Sequence, residues 1–154
     1  METKKRKGTI SRMRGRELHI DSHMTYGDLR RYAATLDVTI CSELLAPGIN
    51  GFYSEAVRTI IIDRSMSYTQ KRCTLVHELT HWSHGDCRCV GIMHERCENR
   101  ARRETAMTLI PVSDYALLER EYEGEPFQIA MELDVTKQII DDYRALAIPR
   151  MALS

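Results

Sequence analysis

The pentapeptide HELTH, residues 77 to 81, contains the residue types of a metal centre. His77 and His81 are four positions apart, so within a helix both imidazoles lie on one face and can bind a single ion. Glu78 is rotated from that face but can reach a water molecule beside the ion. Two neutral ligands with an adjacent carboxylate are typical of a catalytic zinc site. The spacing therefore predicts His77 and His81 as metal ligands and Glu78 as the catalytic acid and base.

The chain around this pentapeptide carries the signals of a helix. Ser67 and Gln70 have the spacing of a capping box, which predicts the first turn. Gly85 is a natural end for the same helix. Between them, apolar residues recur at helical spacing: Leu75, Leu79 and Trp82.

A catalytic zinc site needs a third protein ligand and one open position. His84 shares the helix face but lies about 4.5 Å farther along the axis than His81, beyond easy reach of the ion. We therefore predict that His84 is not a ligand. A carboxylate from a separate helix fits better, and the downstream segment offers three: Glu95, Glu98 and Glu104.

The remaining patterns predict an α+β domain. The short sheet or hairpin is expected from GFYS and RTIIID, with a loop at 55 to 57 and a well-buried run at 59 to 62. Residues 86 to 97, which hold several cysteines, are expected to form an irregular loop. A further strand is predicted at 38 to 41, and helices at 26 to 36, 98 to 109, 114 to 122, 127 to 133 and 136 to 146.

Composition is that of one soluble domain: 154 residues, 43% hydrophobic and 29% charged, with 22 basic and 22 acidic residues. The basic N-terminus lacks the apolar core of a secretory signal, and no apolar run is long enough to span a membrane. We therefore expect a cytoplasmic protein whose five cysteines are reduced.

Residues 1 to 16 carry seven Lys or Arg and a single acid. We expect residues 1–24 to form a partly disordered basic tail, and residues 25–154 a single domain with a C-terminal helical region. The alternative is an arm that contacts nucleic acid. Residues 129 to 146 also have a helix–turn–helix pattern, which would suit a DNA-binding regulator, although Asp141 and Asp142 oppose Lys137 and Arg144 there.

A second metal site is conceivable in the cysteine-rich loop. Its ligands would be Cys87, Cys89, His94 and Cys97, although their spacing matches no standard zinc finger. Cys41 and Cys73 are expected to pack in the core.

The pairing of HELTH with the downstream ENRARRETAMTLIP resembles the ImmA/IrrE family of metallopeptidases. The resemblance covers residues 26 to 146 and is most specific over 72 to 111. It implies a zincin-like domain in which His77, His81 and Glu98 bind Zn²⁺ and Glu78 is catalytic. Glu104 stands where the family usually has an aromatic residue, and Thr105 where it usually has alanine. Glu95 and Glu104 therefore remain alternatives to Glu98.

The resemblance also implies a function. It predicts a zinc metallopeptidase that makes limited cuts in a protein substrate, characteristically a transcriptional repressor in a phage, mobile-element or stress-response circuit. In this hypothesis Glu78 takes a proton from the metal-bound water and returns it to the leaving amine. Candidate donors to the oxyanion are Tyr53, His94 and Tyr115. The alternatives are a DNA-binding protein or a proteolytically silent, metal-bound regulatory protein that acts through interaction.

Overall fold

A computed structural model describes residues 16–86 and 91–154 of the chain. It has the predicted α+β architecture, with a small sheet packed among helices. The elements, in chain order, are α1 (Tyr26–Ala33), β1 (Thr39–Glu43), β2 (Gly51–Ser54), β3 (Thr59–Asp63), α2 (Tyr68–His84), α3 (Ile92–Leu109), α4 (Val112–Glu121), α5 (Pro126–Glu132), α6 (Lys137–Asp142), a π-helical segment (Tyr143–Ala147) and α7 (Ile148–Met151).

The three strands form a mixed sheet in the order β1-β3-β2. The predicted hairpin is present, because β2 runs antiparallel to β3, and β1 joins the other side of β3 in parallel. In β3, Ile60 and Ile62 are fully buried, whereas Thr59 and Ile61 are only partly so. The run predicted to be well buried is therefore buried at alternate positions, because successive side chains of a strand point to opposite faces.

Strand β2 begins unusually close to α2. A Cβ atom at Gly51 would lie 2.8 Å from the Ile61 carbonyl oxygen and 2.8 Å from Thr74 Cγ2. Glycine is therefore needed at this position for the strand to lie against the helix. As a result, the edge of the sheet lies beside the helix that carries HELTH.

Helix α2 begins and ends where its sequence signals predict. The Ser67 and Gln70 side chains form a reciprocal capping box, and Gly85 ends the helix with φ of +61°. The predicted apolar face is buried in the core: Leu75, Leu79 and Trp82.

Helix α3 begins at Ile92, six residues before the predicted start at Glu98. The expectation of an irregular loop up to residue 97 was therefore wrong over its second half. The first turn of α3 projects into solvent, with Ile92 72% exposed and Met93 also exposed. Because its apolar side chains are not buried at helical intervals, the amphipathic pattern that reveals a helix is missing there.

The C-terminal helices pack against α3 and complete the core. The helix predicted at 136 to 146 is instead α6 followed by the π-helical segment. Of the apolar residues behind the helix–turn–helix pattern, Ala130, Val135 and Ile140 lie in the core, and Leu133 is partly buried and packs against it. Core packing is thus sufficient to explain their spacing. Within the described residues, no helix has both the length and the apolar character to cross a bilayer.

Candidate metal centre

Two helices bring three potential metal ligands together. His77 Nε2 and His81 Nε2, one turn apart on α2, are separated by 3.2 Å. The Glu98 carboxylate on α3 faces both, with Oε1 2.8 Å from His77 Nε2 and Oε2 3.3 Å from His81 Nε2. A metal ion needs several His, Cys, Asp or Glu side chains whose ligand atoms lie close together. Among the described residues, these three side chains meet that requirement.

Two of the three distances between these donor atoms are close to the edges of a tetrahedral zinc site, and the third, 2.8 Å from His77 Nε2 to Glu98 Oε1, is shorter. Ligand atoms about 2.0–2.1 Å from a tetrahedral centre are about 3.3–3.4 Å from one another. The distances of 3.2 Å between the two Nε2 atoms and 3.3 Å from His81 Nε2 to Glu98 Oε2 are close to that edge. The Glu98 side chain is only half-buried and lines a cavity together with His77, so water or a substrate can approach these donors. The donor set, two imidazoles and a carboxylate, is one that catalytic zinc accepts.

Helix α3 places Glu98 by packing along α2. Ala101, three residues after Glu98, is fully buried. Its small side chain permits close approach of two helices, because interaxial distance depends on the side chains at the contact. Packing of α3 against α2 brings the Glu98 carboxylate within reach of the histidines on α2.

The other candidate ligands lie outside this group. His84 Nε2 contacts Glu104 Oε2 at 2.7 Å, so these two side chains form their own pair. Glu95 is exposed on the first turn of α3. Of the three glutamates left open by the sequence, the structure brings Glu98 to the histidines.

Glu78 lies beside the donor atoms and is almost fully buried, at 7% exposure. Burial raises the pKa of its carboxyl group, while His77 and His81 act in the opposite direction. The backbone N–H of Tyr53, on β2, also donates to the carboxylate and lowers its pKa. A carboxyl group with an elevated pKa can both accept and return a proton near neutral pH.

A further acid, Asp86, supports the centre from behind. Its Oδ2 lies 2.9 Å from His81 Nδ1, and Arg100 Nη2 donates to its Oδ1 at 2.6 Å. Burial lowers the pKa of His81, but the contacts with Glu98 and Asp86 outweigh burial and raise it to about 9. Sequence reasoning missed Asp86, and its position directly after the helix-ending Gly85 was the available signal.

Two of the three donor side chains, His77 and Glu98, line a cavity of about 460 Å³. Its walls include Gly51, where β2 begins, and His77, Glu78 and Glu98 from the two helices. Residues of the C-terminal region close the opposite side: Thr136, Gln138, Ile139 and Asp142. The helical region that resembled a DNA-binding motif thus forms one wall of the cavity.

The three candidate oxyanion donors are not among the described residues that line this cavity. The Tyr53 hydroxyl donates to Glu55 and lies 3.4 Å from Arg16 Nη1. Tyr115 donates to Glu119 and accepts from Arg144. His94 lies on the exposed first turn of α3.

The proposed second zinc site falls partly outside the described residues, because Cys87 and Cys89 are not described. Cys97 is buried in α3 and His94 is exposed. The second site therefore stays a prediction. Of the two cysteines expected in the core, Cys73 is buried, and Cys41 only partly.

Most of the basic N-terminal segment, residues 1–15, also lies outside the described residues. The first described residue, Arg16, is held against the end of α2. Its backbone N–H donates to the Ser83 carbonyl at 3.2 Å, and its guanidinium lies 5.0 Å from the centre of the Trp82 ring. The tail and domain boundaries stay predictions.

An α+β domain with two histidines on one helix and a glutamate from the next, open to a cavity, has the construction of a metallopeptidase domain. The sequence profile of the IrrE N-terminal-like domain, peptidase family M78, matches residues 33–143. The chain therefore belongs to this family of metallopeptidases, the one that the HELTH and ENRARRETAMTLIP segments resemble. A search among curated proteins finds no match.

Proposed function

We propose that the protein is a cytoplasmic zinc peptidase that makes limited, site-specific cuts in a protein substrate. The substrate we propose is a transcriptional repressor in a phage, mobile-element or stress-response circuit. One observation carries the peptidase proposal. The donor atoms of His77, His81 and Glu98 converge to within 2.8–3.3 Å of one another beside the buried carboxylate of Glu78.

The chain's own residues have distinct roles in this proposal. His77, His81 and Glu98 hold the ion, and Asp86 accepts a hydrogen bond from His81 Nδ1–H, which leaves the Nε2 lone pair for the metal. Zinc, when bound, would supply an acidified water and polarise the scissile carbonyl. Glu78 takes the proton of that water and delivers it to the departing amine nitrogen, for which its raised pKa is suited.

The position of β2 favours an extended peptide as substrate. It is an edge strand of the sheet, with β3 on one side only. Its first residue, Gly51, lines the cavity together with His77 and Glu78. A substrate segment could pair with this edge through main-chain hydrogen bonds and bring one peptide bond to the centre. Such a mode requires an extended segment, which agrees with cleavage at one accessible site.

The test is co-expression with the repressor encoded nearest to the gene. We expect the wild type to shorten the repressor, and Glu78→Gln to leave it intact while binding zinc normally. Glu104→Gln is the matched control and should cleave like the wild type, because Glu104 pairs with His84 outside the centre. An intact repressor in every case would remove the substrate proposal. Equal cleavage by Glu78→Gln and the wild type would remove the catalytic one.

The DNA-binding alternative gains little support from the described residues. Gln138 and Asp142, on the helix that would have read DNA, line the cavity instead. A silent interaction protein would act equally well with Glu78→Gln in cells, so the same variant separates that alternative from a peptidase.

A further inference from the structure

The cavity contains an arginine that the roles above leave unassigned. Arg102 lies on α3, one turn after Glu98, and both residues line the cavity. Its Nη2 donates to Asp142 Oδ1, and the same oxygen accepts from Gln138 Nε2 at 2.9 Å. An ion pair from α3 to the end of α6 therefore lies on the cavity wall.

The two partners of this ion pair differ in burial. The Asp142 side chain is 4% exposed, whereas that of Arg102 is 38% exposed. Within the described part of the chain, one of the five guanidinium N–H groups, on Nη2, donates a hydrogen bond to a protein acceptor. The buried carboxylate thus orients the guanidinium and leaves donors for a ligand in the cavity.

The charges of the cavity indicate what kind of ligand these donors suit. The charge of Arg102 is balanced by Asp142, and two further carboxylates, Glu78 and Glu98, line the same cavity. Because Asp142 already compensates the charge of Arg102, the remaining guanidinium N–H groups suit a neutral acceptor better than a second carboxylate. The neutral acceptor that every peptide carries is its main-chain carbonyl oxygen.

We propose that Arg102 binds a main-chain carbonyl oxygen of the substrate next to the scissile bond, and that Asp142 and Gln138 hold its guanidinium for this purpose. The inference rests on the proposed peptidase function and deepens it. Arg102 is in this view a substrate-binding residue and not a metal ligand. Its replacement weakens peptide binding and leaves the metal site unchanged.

The test measures binding of three hydroxamates, compounds that bind zinc directly, to the zinc-loaded protein. Acetohydroxamate has no peptide carbonyl. Each of the other two probes carries two peptide units. In one probe they lie on the acyl side of the scissile position, and in the other they lie on the amine side. The variants are Arg102→Gln, Arg102→Lys and Asp142→Asn. Arg103→Gln is the control, because it removes the same charge from α3 at a residue that is not among the described ones lining the cavity.

We expect Arg102→Gln to lower the affinity for one of the two peptide hydroxamates by about 10- to 100-fold, which is the range for loss of a hydrogen bond to a charged group. Acetohydroxamate should bind within twofold of the wild type, which also verifies that the variant is folded. Arg102→Lys and Asp142→Asn should lower this affinity less, and Arg103→Gln should leave it unchanged.

Unchanged binding of both peptide hydroxamates in Arg102→Gln and Arg102→Lys would overturn the proposal. An equal loss of affinity for acetohydroxamate would also overturn it, because Arg102 would then act on the metal centre. A zinc-loaded wild type that binds none of the three hydroxamates would instead remove the proposed peptidase function, and this inference with it.

Discussion

Asp86 Oδ2 lies 2.9 Å from His81 Nδ1, while His81 Nε2 faces His77 and Glu98. The imidazole is thus held from one side and free to bind metal on the other. Arg100, from α3, donates to the second oxygen of Asp86. The end of α2 and the middle of α3 are therefore joined by this contact, directly behind the metal centre.

Loss of the Asp86 carboxylate should weaken metal binding without removing a ligand. We predict that Asp86→Asn lowers the affinity for zinc by about 10- to 100-fold, because the orientation and basicity of His81 depend on this partner. Competition with a chromophoric chelator measures the affinity. Asp37→Asn, which breaks a surface pair with Arg58, is the matched control and should bind zinc like the wild type. Equal affinities for the two variants would contradict the role of Asp86.

The identity of the third ligand can be tested with three matched substitutions. We predict that Glu98→Gln loses at least as much zinc affinity as Asp86→Asn, because it replaces the carboxylate that faces both histidines. Glu95→Gln and Glu104→Gln should keep one zinc per chain. Measurement of zinc content after dialysis against a weak chelator checks all three. Full zinc content in Glu98→Gln would refute the ligand assignment.

The metal-free protein should lose stability at alkaline pH. The folded pKa of His81 is raised to about 9, above its ordinary value of 6.5. The resulting stabilisation is complete below about pH 6.5 and disappears as the pH rises through about 9. We expect it to contribute about 1–3 kcal/mol to the free energy of unfolding.

Urea denaturation in EDTA at pH 6.5 and pH 9.5 measures this contribution. The fall in the free energy of unfolding between the two pH values should be smaller in His81→Gln than in the wild type. An equal fall in both proteins would show that the contacts of His81 with Glu98 and Asp86 do not stabilise the metal-free fold.

Thr105 offers a stabilising substitution. Its Oγ1 is buried on α3, and the described residues provide it with no hydrogen-bond partner. Because an unpaired buried hydroxyl is costly, we predict that Thr105→Val raises the free energy of unfolding by about 1 kcal/mol. Zinc affinity should not change. A urea titration checks the first expectation, and lower stability in Thr105→Val would indicate that the hydroxyl is paired in solution.

Local sequence signals were sufficient to predict the part of the metal centre that lies on α2. The spacing of His77 and His81 fixes a shared face, and the capping box at Ser67 and the glycine at 85 mark where α2 begins and ends. The direction of Glu98 toward this face depends on how α3 packs against α2. The residue patterns left Glu95 and Glu104 open, and the family resemblance favoured Glu98.

Contacts between distant residues had no comparable signal. Arg102 and Asp142 are 40 positions apart, and nothing in their spacing indicates that they meet. The contact of Asp86 with His81 is local by comparison, because the chain turns at Gly85 in a left-handed conformation, and that glycine was its signal in the sequence. The start of α3 was missed because its first turn is exposed and lacks a buried apolar stripe.

We propose that Glu78 transfers the proton in a zinc-dependent peptide hydrolysis. The most direct test of this role is the rate of repressor cleavage by purified wild type and Glu78→Gln, each loaded with one zinc and followed by mass spectrometry. We predict a cut at one site by the wild type and a rate lower by about 10²- to 10⁴-fold in the variant. Cleavage by zinc-loaded Glu78→Gln at the wild-type rate would contradict this role of Glu78.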